Sequence, residues 1–269
     1  MQRIALNAAL LPQAQALSDE AGWNQNAADW LVFQRHGEIF GVMAGERLVA
    51  TAAILPYGED FAWISMVLVT AEFRRRGLAT SLLRHGMARL HAQRRVALLD
   101  ATEAGEPVYR VLGFSTLTRM TRWVRAGAHG PKTPVSTSPP ALQTALRTLD
   151  SAAFGAPRSF LLDDFLSRPN AGAWSDDKSA VVLRPGRHAW QIGPVIGTQD
   201  RPCALLTLAI DTASGAIVID LLEAGADLVP WLTRRGFTPR RGFCRMAHGR
   251  DTLPGAPTRL LAAAGPEFG

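Results

Sequence analysis

Apolar residues recur along this chain in two rhythms. Over residues 5–21 and 24–35 they return at helical spacing, with Trp30, Leu31 and Phe33 supplying the second stretch. Residues 38–44, 47–56 and 61–69 then read as successive strands. Gly45-Glu46 and Tyr57-Gly58-Glu59-Asp60 supply the turn chemistry between them, so an antiparallel meander is expected. Residues 77–94 give the strongest helical pattern: Leu78, Leu82, Leu83, Met87 and Leu90 share one face, and Arg84, Arg89 and Arg94 point away from it. A short apolar run at 96–100 predicts a buried strand. Residues 107–112 predict a short helix closed by Gly113, and residues 114–124 a further strand.

The pattern then breaks. Residues 126–140 read AGAHGPKTPVSTSPP, rich in Pro, Gly, Ser and Thr with no apolar period, as expected of a linker. Beyond it the rhythms resume. Helices are expected at 141–154, 159–167, 202–210 and 228–235, and strands at 180–184, 189–195, 216–221 and 243–248. One internal match stands out: Leu98-Leu99-Asp100-Ala101-Thr102-Glu103-Ala104-Gly105 against Val218-Ile219-Asp220-Leu221-Leu222-Glu223-Ala224-Gly225. Each is followed by a short helix and a Gly-Phe pair, Gly113-Phe114 and Gly236-Phe237. The order suggests one unit used twice. The expected organisation is a first domain at 1–125, a linker at 126–140, a second domain at 141–250 and a tail at 251–269.

Composition narrows the partners. A chain of 269 residues suits two domains, and 47% apolar residues suffice for real cores. The net charge of +6 is carried mostly by arginine, which admits anionic ligands. No block of like charge or aromatic-basic alternation accompanies it, so nucleic acid is not an expected partner. Two cysteines, Cys203 and Cys244, without a CxxC pair, suit a reduced compartment and a cytoplasmic protein. No apolar run has the length of a membrane span, so no membrane partner is expected. His85 and His91 lie six apart on their helix, which is not a ligand spacing, and no metal is expected.

The segment from Val67 to Thr80 concentrates the chemistry. Val67, Leu68 and Val69 end a strand; Arg74, Arg75, Arg76 and Gly77 form a basic loop; Leu78, Ala79 and Thr80 open the long helix. First-turn N–H groups have no intrahelical acceptor, and the helix dipole favours an anion there. Gly77 lets a ligand approach the backbone, and small Ala79 keeps the next turn open. This arrangement suits a pyrophosphate.

These residues resemble the GNAT superfamily of acyl-CoA-dependent N-acetyltransferases. Arg74-Arg75-Arg76-Gly77-Leu78-Ala79 fits its Q/R-x-x-G-x-G/A pattern, and Tyr109-Arg110-Val111-Leu112-Gly113-Phe114 looks like its Tyr-x-x-x-Gly-Phe segment. The resemblance implies an α/β (α+β) protein of two GNAT-like domains, each a mixed, mostly antiparallel sheet flanked by helices. It implies acetyl-CoA as cosubstrate, with Val67, Leu68 and Val69 on its pantetheine arm and the N–H groups of residues 75–80 on its pyrophosphate. It also implies a small-molecule amine as acceptor and Tyr109 as the general acid that protonates the leaving thiolate. A homodimer is admitted.

The base is not matched. Asp100 and Glu103 lie near the expected acceptor, and Asp100 is the better candidate, with helix capping as its alternative. Thr102 to Glu106 stand where the family carries an Asn. In the second half Gly197-Thr198-Gln199-Asp200-Arg201-Pro202 replaces the loop, and Leu232 stands where a Tyr would. That half is expected to be degenerate and non-catalytic, with Gly193 and Gly197 lining either a relic anion site or a tight turn. Trp174 and Trp190 are candidates for the acceptor pocket. The readings that compete with a small-molecule acetyltransferase are a non-catalytic acyl-CoA sensor and a protein or peptide acetyltransferase.

Overall fold

The computed structural model describes residues 1–127, 140–198 and 202–269; most of the expected linker lies outside the described residues. The first half runs β1 (Gln2–Ala5), α1 (Leu11–Glu20), α2 (Ala27–His36), β2 (Glu38–Ala44), β3 (Arg47–Tyr57), β4 (Phe61–Val69), α3 (Leu78–Ala92), β5 (Val96–Thr102), α4 (Glu106–Val111) and β6 (Phe114–Arg125). The second runs α5 (Pro140–Phe154), α6 (Ser159–Ser167), β7 (Gly172–Ser175), β8 (Ala180–Pro185), β9 (Trp190–Ile196), α7 (Cys203–Thr212), β10 (Ile217–Leu222), α8 (Val229–Arg234), β11 (Thr238–His248) and β12 (Leu260–Ala262).

Most expected elements form within a few residues of the pattern. The first helix does not: residues 2–5 pair with β2 as an edge strand, and α1 starts only at Leu11. Pro12 explains the late start, since it lacks an N–H and fits the first turn of a helix better than its interior. At the other end of that connection, Asn26 caps α2 with a capping box closed by Asp29.

All strands of the described residues join one sheet of mixed direction, in the order β1-β2-β3-β4-β5-β11-β6-β10-β12-β9-β8-β7. Its two parallel pairs, β4–β5 and β9–β10, sit at equivalent places in the two halves. The halves also exchange their long strands β6 and β11. β5 pairs with β11, β10 pairs with β6, and β6 and β11 pair with each other. The two sheets implied by the repeat are thereby fused. The repeated aspartates mark the exchange: Asp100 faces Arg245 and Asp220 faces Arg122 across these borrowed registers.

Residues 251–269, expected as a tail, are not peripheral. Leu260, Leu261, Ala262, Ala263, Ala264 and Phe268 are buried, and Phe268 stacks on Phe33 with ring centroids 5.3 Å apart. The run Leu260-Leu261-Ala262-Ala263-Ala264 is too short to separate strand from helix by period, which is why the pattern left it unread.

Candidate active site

The loop before α3 is braced from beneath. Glu20 accepts hydrogen bonds from the Thr70 hydroxyl and the Ala71 N–H, each at 2.6 Å. Arg74 Nε donates to the Val69 carbonyl (3.1 Å), and Arg76 Nη2 donates to the Glu72 carbonyl (3.0 Å) while lying over the Phe73 ring. Two of the three arginine side chains thus fold back on the turn. Arg75 and Gly77 both take positive φ, +61° and +75°, and a Cβ on Gly77 would meet nothing within 4 Å. The first bond of the helix runs from Ser81 N to Gly77 O (2.9 Å). Among the described residues, the backbone N–H groups of Arg75, Arg76, Gly77, Leu78, Ala79 and Thr80 have no protein acceptor. Six donors at the positive end of a 15-residue helix fit a pyrophosphate.

Behind the loop the sheet opens. β4 and β5 pair only from Phe61↔Val96 to Trp63↔Leu98, and β4 has no partner on that side from Ile64 onward. β4 also bulges. Its register with β3 slips between Thr51 and Ala53, and Met66 takes a φ of +53°, uncommon for a residue with a side chain. The buried Thr51 hydroxyl holds this bulge by donating to the Met66 carbonyl (2.8 Å). Val67, Leu68 and Val69 therefore present backbone to the gap.

Tyr109, on α4, closes one side of the opening. It packs against Phe114, with centroids 6.0 Å apart, and its hydroxyl has no hydrogen-bond partner among the described residues. Burial pushes its phenol up to about 12. The cleft at the gap, about 80 Å³, brings Tyr109 together with Ser65, Met66, Val67, Asp100 and Thr102. Trp23, Gln25, Arg122, Arg241, Phe243 and Glu267 complete its lining.

Asp100 is neither free nor a helix cap. It lies mid-strand, fully buried, with both oxygens bound by Arg245 at 2.9 Å, and burial still raises its carboxyl above the usual range. Glu267 differs. Arg184 Nη2 donates to one oxygen (2.7 Å) and Gln25 Nε2 to the other (2.7 Å). Arg184 also serves Asp29 (3.0 Å), and Arg168 spans Asp29 and Asp164. Three carboxylates here share two buried guanidiniums, and the exposed Arg35 stands 4.0 Å from Asp164 as a third cation. Burial, aided by the nearby charge of Asp29, raises the Glu267 carboxyl although Arg184 opposes it. The sequence pattern missed Glu267 because it reaches the cleft only through the fold of residues 251–269. Trp23 lines the cleft too, whereas Trp174 and Trp190 pack against the core of the second half.

The second half lacks the opening. There β12 lies between β10 and β9, with Leu221↔Ala262 on one side and Leu260↔Ile196 on the other. A Cβ on Gly193 would fall 1.9 Å from the Ala263 carbonyl, so Gly193 makes room for this strand rather than for an anion. Leu232 is fully buried. A larger cavity of about 250 Å³, lined by Trp63, Leu98, Phe154 and Leu260, is mostly apolar and holds neither Tyr109 nor the bulge. Among the described residues, no cluster of His, Cys, Asp or Glu is arranged to hold a metal, and no helix is long and apolar enough to cross a membrane.

An open splay with a bulge on one side and a donor-rich glycine loop at a helix start mark the first half of this fold. The profile of the Acetyltransferase (GNAT) family matches residues 6–114, and that of an Acetyltransferase (GNAT) domain matches residues 146–262. The chain belongs to the GNAT acetyltransferases and carries two GNAT domains in tandem. A putative acetyltransferase from Pyrococcus horikoshii superposes with a TM-score of 0.82 at 17% identity, covering 100% of this chain and 95% of that one. A GCN5-related N-acetyltransferase from Sphaerobacter thermophilus gives 0.66 at 16% identity over 94% and 96% of the chains. A tandem GNAT protein from the clavulanic acid biosynthesis pathway gives 0.61 at 14% identity over 91% and 97%. At these identities the likeness is one of fold. No curated protein matches the chain.

Proposed function

We propose that this protein transfers an acetyl group from acetyl-CoA to a primary amine of a small molecule by direct attack. The carrying observation is the open β4–β5 gap, flanked by the loop donors on one side and Tyr109 on the other. The N–H groups of residues 75–80 would hold the pyrophosphate, and the free edge at Val67, Leu68 and Val69 the pantetheine amides. When bound, acetyl-CoA supplies the activated acyl carbonyl. A strand N–H near Leu68, turned by the bulge, would polarise it. Glu267 is our choice to accept the proton the amine loses, because burial raises its carboxyl and it lines the cleft, with Arg184 on one oxygen only; Asp100 has both oxygens tied to Arg245. The Tyr109 hydroxyl would give its proton to the leaving sulfur. A phenol near 12 is a weak acid beside an ordinary thiol at about 8.5, but burial of the sulfur raises its proton affinity in the same way.

That weak acid is also the observation that favours the second reading, a non-catalytic acyl-CoA sensor. The small cleft favours a small acceptor over a protein or peptide. Saturating acetyl-CoA, at about 100 times its dissociation constant, should stabilise the protein by about 2.7 kcal/mol; no stabilisation defeats both readings. Release of CoA thiol with a panel of amines then separates enzyme from sensor. Tyr109→Phe should lower turnover by about 10²- to 10⁴-fold while keeping the acetyl-CoA stabilisation. An unchanged rate removes Tyr109 from the acid role.

A further inference from the structure

Not every charge of the cleft is hydrogen-bonded to an opposite one. Arg122 and Arg241 stand directly opposite each other on β6 and β11, and both guanidiniums lie over the Phe243 ring, at 5.4 and 4.9 Å. Like charges facing across a strand pair are unfavourable. Arg122 is neutralised: its Nε and Nη2 donate to both oxygens of Asp220, at 2.7 and 2.8 Å. Arg241 is exposed at the mouth of the cleft, feels the charges of Asp220 and Glu267, and makes no hydrogen bond to a carboxylate or carbonyl among the described residues. Its guanidinium is thus held over Phe243 at the cleft with its donors free. Local departures from full pairing concentrate where a ligand completes the set.

Glu267 also lines the cleft, and it belongs to a group in which three carboxylates share the buried Arg168 and Arg184, with the exposed Arg35 at the far end beside Asp164. The cleft therefore presents a guanidinium with free donors, Arg241, and a buried carboxylate, Glu267, on separate elements lining one small space. The carboxylate of Asp100 and the guanidinium of Arg245 do not alter this, because they bind each other.

We propose that the acceptor is an amine that also carries a carboxylate, an amino acid or a close analogue, with Arg241 binding the carboxylate and the ammonium end directed toward Glu267 and the β4 bulge. This rests on the acetyltransferase reading and names its substrate class. A guanidinium can take a carboxylate through two parallel hydrogen bonds, and the Phe243 face fixes its plane. A neutral amide or ester of the same amine leaves Arg241 unmatched. A plain alkylamine loses the anchor that orients its nitrogen.

The test compares matched acceptors: free amino acids, their amides and methyl esters, and alkylamines of equal length. Release of CoA thiol is followed in the wild type, Arg241→Gln and Arg241→Lys. The wild type should favour the carboxylate form over its amide by about 10- to 100-fold in kcat/KM, the worth of a charge-assisted pair. Arg241→Gln should bring that ratio close to 1, mainly through KM, and Arg241→Lys should restore part of it. Arg240→Gln, on the neighbour that does not line the cleft, should keep the wild-type ratio. Retained stabilisation by acetyl-CoA in each variant shows that the fold and the loop survive. Equal use of acid and amide by the wild type, or a preference that survives Arg241→Gln, overturns the inference while leaving the acetyltransferase reading intact. If no amine is turned over, binding of N-acetylamino acids against N-acetylamino amides decides it. Carboxylate-selective binding that Arg241→Gln abolishes supports the site even as the enzyme reading fails, and indifferent binding overturns it.

Discussion

The chain builds the same strand, helix and strand unit twice and leaves a gap beside it once. In the first half β4 and β5 part after three pairs, and the space between them reaches Tyr109. In the second half β9 and β10 also pair through three residues, but β12 enters where they part and Ala263 continues the bonding to Asp220. The difference teaches that the second domain is not merely an active site that lost its loop. Its opening is filled by backbone, so restoring a glycine loop or a tyrosine at position 232 would not restore a cleft. The filling is also put to use, because the residues just after β12 carry Glu267 into the first cleft.

The largest expected effects come from the matched ion pairs. Asp100→Ala and Asp220→Ala each leave a buried arginine unpaired and should each cost about 3–5 kcal/mol in denaturant unfolding. Because each pair joins strands from both halves, the loss should appear in one cooperative transition. Two separate transitions, with only one shifted, would break the picture of a fused sheet. Next, the same small substitution should report different quantities in the two halves. Gly193→Ala drives a Cβ into the Ala263 carbonyl and should cost about 3 kcal/mol of stability by displacing β12. Gly77→Ala meets open space but forces a left-handed conformation worth about 1–2 kcal/mol. Its main effect should be acetyl-CoA binding about tenfold weaker, read by calorimetry, with a much smaller change in melting. Equal melting losses would erase the contrast.

The smallest effect is spectroscopic. The chain has two tyrosines, Tyr57 and Tyr109, and burial raises both phenols. Absorbance of the phenolate should show Tyr109 ionising near pH 12 rather than near 10, and Tyr109→Phe should remove that step. The sign follows from the neutral form being the one the fold favours. The associated stability is full below about pH 10 and is lost as the pH rises through about 12. Ionisation near 10 would mean a wet gap and a smaller difference between the two halves.

The periodic elements were legible because their apolar faces repeat over many residues, as in α3 or β3. The loop and Tyr109 could be singled out because both lie in short contiguous motifs, and the fold sets both beside the β4–β5 gap. The exchange of β6 and β11 was not, since pairing partners far apart in the chain leave no local trace. The repeated Asp100 and Asp220 were visible in the sequence, but the arginines they bind, Arg245 and Arg122, lie in the other half's strand and gave no signal. Glu267 and Arg241 escaped for the same reason. Their neighbours in sequence carry no chemistry, and only the fold brings them to one cleft. Asp100 was visible and misjudged, because a strand-end carboxylate near a motif looks available until its arginine is known.

The strand exchange also bears on how the protein is made. As the chain leaves the ribosome, β5 appears well over a hundred residues before β11. Until then the first half carries an unpaired, apolar strand edge beside a finished glycine loop. Such an edge invites association with other nascent chains, and it has to wait for most of the second half before it is covered. A truncated first domain would keep that edge permanently, so the smallest unit able to mature is the tandem itself.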